Sequence, residues 1–270
     1  MNLDGVTRHW RARVAHEITV LPGRLPVQRE WLRRVGWHAG IAATIATAGL
    51  LMFAKVGEDV FQHESGSVDD LTRRWILAHQ VPSLFTIFTW ITNAGSSIPV
   101  VALTALVGIW LWRSRGRRAA SGALIAPLLA LALFNIVKVT YGRVRPIGAL
   151  HFGLYSFAFP SGHATVSMSA LPTVAYVLWR EREMSGPRLV FVTALAVLLI
   201  GASRIYLDVH WLTDVLGGWA VGLFVAGLSI ATYEHLRQEP PPAADSGWIS
   251  RTSVTPVVGS DGHPSDDRGA

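Results

Sequence analysis

The sequence has no cysteine. Disulfides, zinc–thiolate sites, iron–sulfur clusters and cysteine nucleophiles are thereby excluded. It is also short of charge. Only 16% of its residues are Asp, Glu, Lys or Arg, against about 25% in soluble domains. Lysine is nearly missing, with Lys55 and Lys138 alone, so arginine carries almost all the positive charge. The scarcity is uneven. Formal charge is absent from 35–54, 75–112, 119–137, 146–179, 189–203 and 215–233. A soluble amphipathic helix shows a polar face every third or fourth residue. These runs do not, and several approach the ~20 residues that cross a bilayer. A soluble globular enzyme and a disordered chain are both excluded.

The runs predict an all-α polytopic membrane protein, a six-helix transmembrane bundle. Its spans are placed at about 36–53, 97–112, 120–137, 161–179, 189–203 and 213–233. The first lies behind too long a polar segment to be a cleaved signal peptide. The stretch from Lys55 to Arg74 reads as a polar loop leading into a short helix. An interfacial helix is expected within 71–92, broken at Pro82. The chain thus divides into a basic N-terminal segment (1–35), a six-span domain (36–235) and a disordered C-terminal tail (236–270) rich in Pro, Asp, Ser and Gly.

Charge placement gives the sidedness. Arg8, Arg11, Arg13, Arg24, Arg29, Arg33 and Arg34 precede the first span. Such a cluster suits nucleic acid or the cytoplasmic flank of a span. The apolar run behind it favours the flank and excludes a nucleic-acid partner. Arg113, Arg115, Arg117 and Arg118 lie between spans two and three, and Arg180, Arg182 and Arg188 around the next such turn. With six spans all these face one side. The rule of positive loops inside puts that side, and both termini, in the cytoplasm. The acidic loop after span one then faces outward.

Ionisable residues near membrane depth are costly and usually functional. Lys138, Arg145 and Arg204 lie at the expected outer ends of spans, and each stands in a larger pattern. Lys138 to Pro146 reads Lys-x6-Arg-Pro. Pro160 to His163 reads Pro-Ser-Gly-His, just before a span. Ser203 to Asp214 reads Ser-Arg-x5-His-x3-Asp. Arg143, inside the first pattern, fits a residue that snorkels to lipid phosphate. Asp208, inside the third, fits a loop cap. Trp179, Trp211 and Trp219 fit an interfacial belt.

In this order the three patterns resemble the type 2 phosphatidic acid phosphatase superfamily, the lipid phosphate phosphatases. The resemblance covers about 36–235, and every signature residue is present. It implies a lipid phosphate or diphosphate substrate met in the bilayer. Lys138, Arg145, Arg204, Ser161 and Gly162 would bind the phosphate. Arginine suits this because its planar fork grips two phosphate oxygens at once. Ser161 and Gly162 open a span, and a helix N-terminus is an anion site. The four-residue spacing of His210 and Asp214 puts them on one helix face, where the carboxylate can orient the ring. The resemblance assigns His210 as nucleophile, through a phosphohistidine, and His163 as the acid that serves the leaving oxygen and then as the base for water. No cofactor is implied and no metal, since the chain offers no cluster of ligand type and a basic cradle repels cations.

An outer site suits a polyprenyl diphosphate such as undecaprenyl diphosphate. Phosphatidic acid, phosphatidylglycerophosphate and a non-catalytic lipid-binding or transport role are the alternatives.

Overall fold

A computed structural model describes residues 25–238, with side chains over 36–237. The expectations for 1–24 and for the tail from 239 onward lie outside the described residues. Among the described residues all regular structure is helical. The order is α1 (Leu25–Phe61), α2 (Gly66–Ala78), α3 (Pro82–Ala94), α4 (Ser97–Arg115), α5 (Arg117–Tyr141), a 3₁₀ turn (Ile147–Phe152), α6 (Gly162–Arg180), α7 (Gly186–Tyr206) and α8 (Leu212–Gln238).

Three boundaries depart from the sequence reading. Helix α1 starts well before Gly36 and runs on past Ala54. Lys55 pairs with Glu58 and Asp59 one turn on, so the expected polar loop begins as helix. The interfacial helix expected within 71–92 is two helices. Pro82 stands at the first turn of α3, where its missing N–H costs nothing, and Val81 before it is extended. Helix α8 continues to Gln238, beyond the expected limit at 235.

Among the described residues five helices are long and apolar enough to cross a membrane: α1, α4, α5, α7 and α8. Helix α6 is not among them, for a physical reason. It is the inner helix of the bundle, packed against α4, α5, α7 and α8. Thr165, Ser167, Ser169 and Thr173 on it are fully buried. Their hydroxyls bond back to carbonyls one turn earlier, as Thr165 does to Ser161 O at 2.9 Å and Thr173 to Ser169 O at 2.6 Å. Small alcohols satisfied in this way let neighbouring helices close in while lowering the hydropathy of the segment. At one end Ser161 N–H donates to Asp214 O at 2.9 Å. At the other, Arg180 grips Glu234 at 2.6 and 3.0 Å. Asp214 to Glu234 along α8 is about 30 Å at 1.5 Å per residue, the thickness of a hydrocarbon core.

Helices α1 and α8 form the tightest pair. A Cβ on Gly227 would stand 2.5 Å from Ala42 O, and one on Gly49 would stand 2.5 Å from Phe224 N. Only glycine lets these two backbones touch. Trp219, expected in an interfacial belt, lies in the first third of α8, where its ring fills the space beside Gly201 of α7. The two ends of the bundle differ in charge. The α4–α5 and α6–α7 turns carry arginines. The opposite end holds α2, α3, the 3₁₀ turn and all three sequence patterns.

Candidate active site

Four helix ends meet there. Lys138 lies in the last turn of α5, His163 in the first turn of α6, and Arg204 in the last turn of α7. Asp214 lies in the first turn of α8. Arg145 comes from the segment after α5 and His210 from the turn before α8. His163 lies within electrostatic reach of Arg204, His210, Arg145 and Lys138. The structure therefore gathers the sequence-expected residues at one end of the bundle.

His210 is 3% exposed. Its Nδ1 faces Asp214 Oδ2 at 3.2 Å. Its Nε2 lies 2.9 Å from Arg145 Nη1. Arginine can only donate, so Nε2 accepts and Nδ1 carries the proton that Asp214 receives. Burial first, and then Arg145, Arg204 and Lys138, hold this imidazole well below its usual range. The ring is neutral, with its lone pair on Nε2. Asp214 is fully used. Oδ2 also accepts Trp211 N–H at 2.9 Å, and Oδ1 accepts Arg143 Nη1 at 2.8 Å.

Several donors at this end of the bundle have no partner among the described residues. Arg204 spends Nη1 on Thr92 of α3, but its buried Nε bonds nothing. Ser161 Oγ is buried and unbonded. Lys138 Nζ makes no hydrogen bond or ion pair among the described residues; its one polar contact is with the Phe134 ring at 5.7 Å. The first amides of α6 have no carbonyl a turn behind them. A buried polar atom left unpaired is costly.

Arg145 differs from this group. All five of its N–H bonds are committed: to Ser156 O at 2.7 Å, Val209 O at 2.9 Å, His210 Nε2, Ser156 Oγ at 3.1 Å and Phe157 O at 3.3 Å. Outside it lies a cavity of about 410 Å³ lined by Val144, Pro146, Ile147, Tyr155 and Phe157. A Cβ on Gly162 would meet the Phe134 ring at 3.1 Å, so glycine here makes room for a side chain of α5, while its N–H stays among the first amides of α6.

The sequence reading missed five contributors. Arg143, read there as snorkelling to lipid, is instead tied inward to Asp214, Asp69, Thr213 and Ser65. Asp69 and Arg73 stand one turn apart on α2. Arg73 holds both oxygens of Asp208 at 2.7 and 2.8 Å, and Asp208 caps the 3₁₀ turn through Gly148 N–H at 3.1 Å. Thr92 holds Arg204. Trp211, expected in a belt, bonds Val144 O and lies under both Arg73 and Arg143. The acid–base pair one helical turn apart on α2 was the available signal, and a solvated loop helix gives the same one.

The sequence profile of the PAP2 superfamily matches residues 119–238. The chain is 30% identical over 167 residues to the undecaprenyl-diphosphatase BcrC of Bacillus subtilis (strain 168). That match covers 60% of this chain and 81% of the relative. The chain belongs to the PAP2 superfamily. A second relative is phosphatidylglycerophosphatase B of the same organism. It is 29% identical over 180 residues, covering 65% of this chain and 88% of that one. Among solved structures, a transmembrane PAP2 type phosphatidylglycerolphosphate phosphatase from Bacillus subtilis superimposes with a TM-score of 0.63 at 26% identity. It covers 68% of this chain and 93% of its own. The PAP2 match holds every residue named from the sequence patterns and leaves out α2.

Proposed function

We propose that this PAP2 membrane lipid phosphatase hydrolyses a lipid phosphate or diphosphate through a phosphohistidine on His210. The observation that carries the reading is the set of unpartnered donors at the end of the bundle that holds His210. Lys138, Arg204, Ser161 and the first amides of α6 suit the oxygens of one phosphate group. Arg145 leaves Nε2 for the incoming anion and so bares the lone pair. Nε2 then bonds phosphorus while the bond to the leaving oxygen breaks, and His163 gives that oxygen its proton. The substrate's negative charge is what lets His163 hold a proton among three cations. In the second half His163 takes a proton from water, which attacks the phosphohistidine, and phosphate departs. Asp214 keeps the His210 ring in one tautomer throughout.

A polyprenyl diphosphate such as undecaprenyl diphosphate is the first choice of substrate. It fits a site that faces away from the arginine-rich end, and a relative of that name matches over most of its length. Purified full-length protein is expected to release phosphate from one or more members of a panel of lipid phosphates and diphosphates. Chelator leaves the rate unchanged, and vanadate inhibits by imitating five-coordinate phosphorus. Silence on the whole panel would favour a lipid-binding protein of the same fold. A rate lost on chelation and restored by magnesium would replace the histidine mechanism with a metal one.

The reading includes six crossings, with α6 as the sixth. The site then lies on the outer face of the plasma membrane, and both termini are cytoplasmic. The arginine-rich turns at the far end of the bundle support that orientation. The chain has no cysteine, so single cysteines at Gly5 and Ser260 can be probed with an impermeant thiol reagent. Neither is expected to react in intact cells, and both after lysis. Labelling of intact cells at either position would reverse the sidedness.

A further inference from the structure

The geometry points to Asp69 and Arg143 as positioning residues. Through them α2 fixes Asp214 and leaves its charge free to act on His210. This rests on the reading of His210 as the nucleophile. It adds a helix outside the 119–238 superfamily match.

Asp69 reaches the site by two routes. One oxygen accepts Thr213 N–H at 2.9 Å, and the other accepts Thr213 Oγ1 at 2.6 Å and Arg143 Nη2. Arg143 in turn donates to Asp214 Oδ1 at 2.8 Å and to Thr213 Oγ1 at 2.7 Å. Asp69 therefore holds both the residue before Asp214 and the cation beside it. The Asp69 side chain is 1% exposed, Asp214 0% and Arg143 17%. Arg73, one turn further along α2, anchors Asp208 in the same segment that carries His210.

The charges give the arrangement its purpose. If Arg143 served only to neutralise Asp214, one buried pair would suffice. A second buried carboxylate would then add only desolvation cost. With Asp69 behind it Arg143 is balanced, and the trio keeps one net negative charge beside His210. The charged and titratable groups facing His210 are Lys138 from α5, His163 from α6, Arg204 from α7, Arg145 from the segment after α5 and Asp214 from α8. Asp214 is the one anion touching the ring. As Nε2 bonds phosphorus, positive charge develops on the imidazole, and the Nδ1 proton stays shared with Asp214. An unbalanced Arg143 would cancel the field that stabilises this charge.

Asp69→Asn keeps the size and an acceptor oxygen while deleting the charge. It is expected to lower kcat about 10- to 100-fold, the scale of lost outer-shell support. KM and the vanadate inhibition constant stay within about threefold, because the phosphate donors are untouched. Rapid quench shows acid-labile phosphoenzyme forming more slowly by the same factor. The double variant Asp69→Asn/Arg143→Gln removes the stranded cation with its partner and recovers part of the kcat lost in the single variant. A merely structural role predicts the reverse, with the double variant the worse of the two. Three results would overturn the inference: an unchanged kcat in Asp69→Asn, a rise in KM and vanadate constant that accounts for the whole loss, or no recovery in the double variant. Wild-type protein that turns over substrate without any phosphoenzyme would instead remove the His210 reading beneath it.

Discussion

His210→Ala is expected to abolish turnover on every substrate, by on the order of 10⁵-fold or more, as when a covalent nucleophile is removed. No acid-labile phosphoenzyme should form. The geometry that supports this is specific. Nε2 is the lone-pair nitrogen, facing Arg145 and away from the Asp214 carboxylate that holds Nδ1. His163→Ala should behave differently. Its proton matters most where the leaving group is poor. An alkoxide leaving from a phosphate monoester needs that proton, and a phosphate leaving from a lipid diphosphate needs it less. General acid catalysis is worth about 10²–10⁴-fold. The loss should fall near the upper end on phosphatidic acid and near the lower end on a polyprenyl diphosphate. Rates of both variants on both substrates, with quenched samples assayed for phosphoenzyme, decide it. Phosphoenzyme persisting in His210→Ala, or a His163→Ala defect larger on the diphosphate, would exchange or cancel the roles.

Asp214→Asn is the second large effect, expected at about 10³–10⁴-fold in kcat by the logic of a wrong tautomer. The carboxylate accepts on both oxygens, Arg143 on one side and Trp211 N–H with His210 Nδ1 on the other. An asparagine has one acceptor and one donor. If its amide group faces Arg143, two donors collide and the guanidinium is displaced. If it faces His210, it drives the ring to the tautomer with its proton on Nε2, which has no lone pair to attack phosphorus. Either orientation disarms the nucleophile while leaving Lys138, Arg204 and Ser161 in place. Vanadate affinity should therefore fall much less than kcat. A parallel collapse of both would mean that Asp214 supports the cradle and not the ring.

The candidate site residues could be named from the sequence because they sit in three short patterns, which the fold brings to one end of the bundle. The helical class and most crossings were legible because lipid forbids charge over long runs. What stayed hidden has a common cause. Asp69, Arg73 and Thr92 act on residues more than 100 positions away in the chain, and each taken alone reads as ordinary polar decoration of a loop helix. Arg143 was misread because a span-end arginine facing lipid and one facing a buried carboxylate look alike in sequence. The bounds of helix α6 were legible from its flanks, although its buried alcohols keep it out of the five helices apolar enough to cross a membrane among the described residues. Pro82 was read as a break because a proline inside a helix and a proline opening one are told apart only by where the preceding turn ends.

The contact between Arg145 and His210 Nε2 bears on how such a protein lives among lipids it must not touch. In a bilayer, ester-bearing molecules with neutral or zwitterionic heads outnumber any phosphorylated intermediate and brush past the site continually. A bare buried imidazole would be open to all of them. Here the lone pair is already occupied by a guanidinium whose five N–H bonds are all satisfied. If His210 is the nucleophile as proposed, a visitor must carry enough negative charge to compete for that guanidinium, and discrimination is exercised before any bond to phosphorus begins. An inhibitor lacking an anionic group would meet the same barrier, however well its hydrocarbon portion fits.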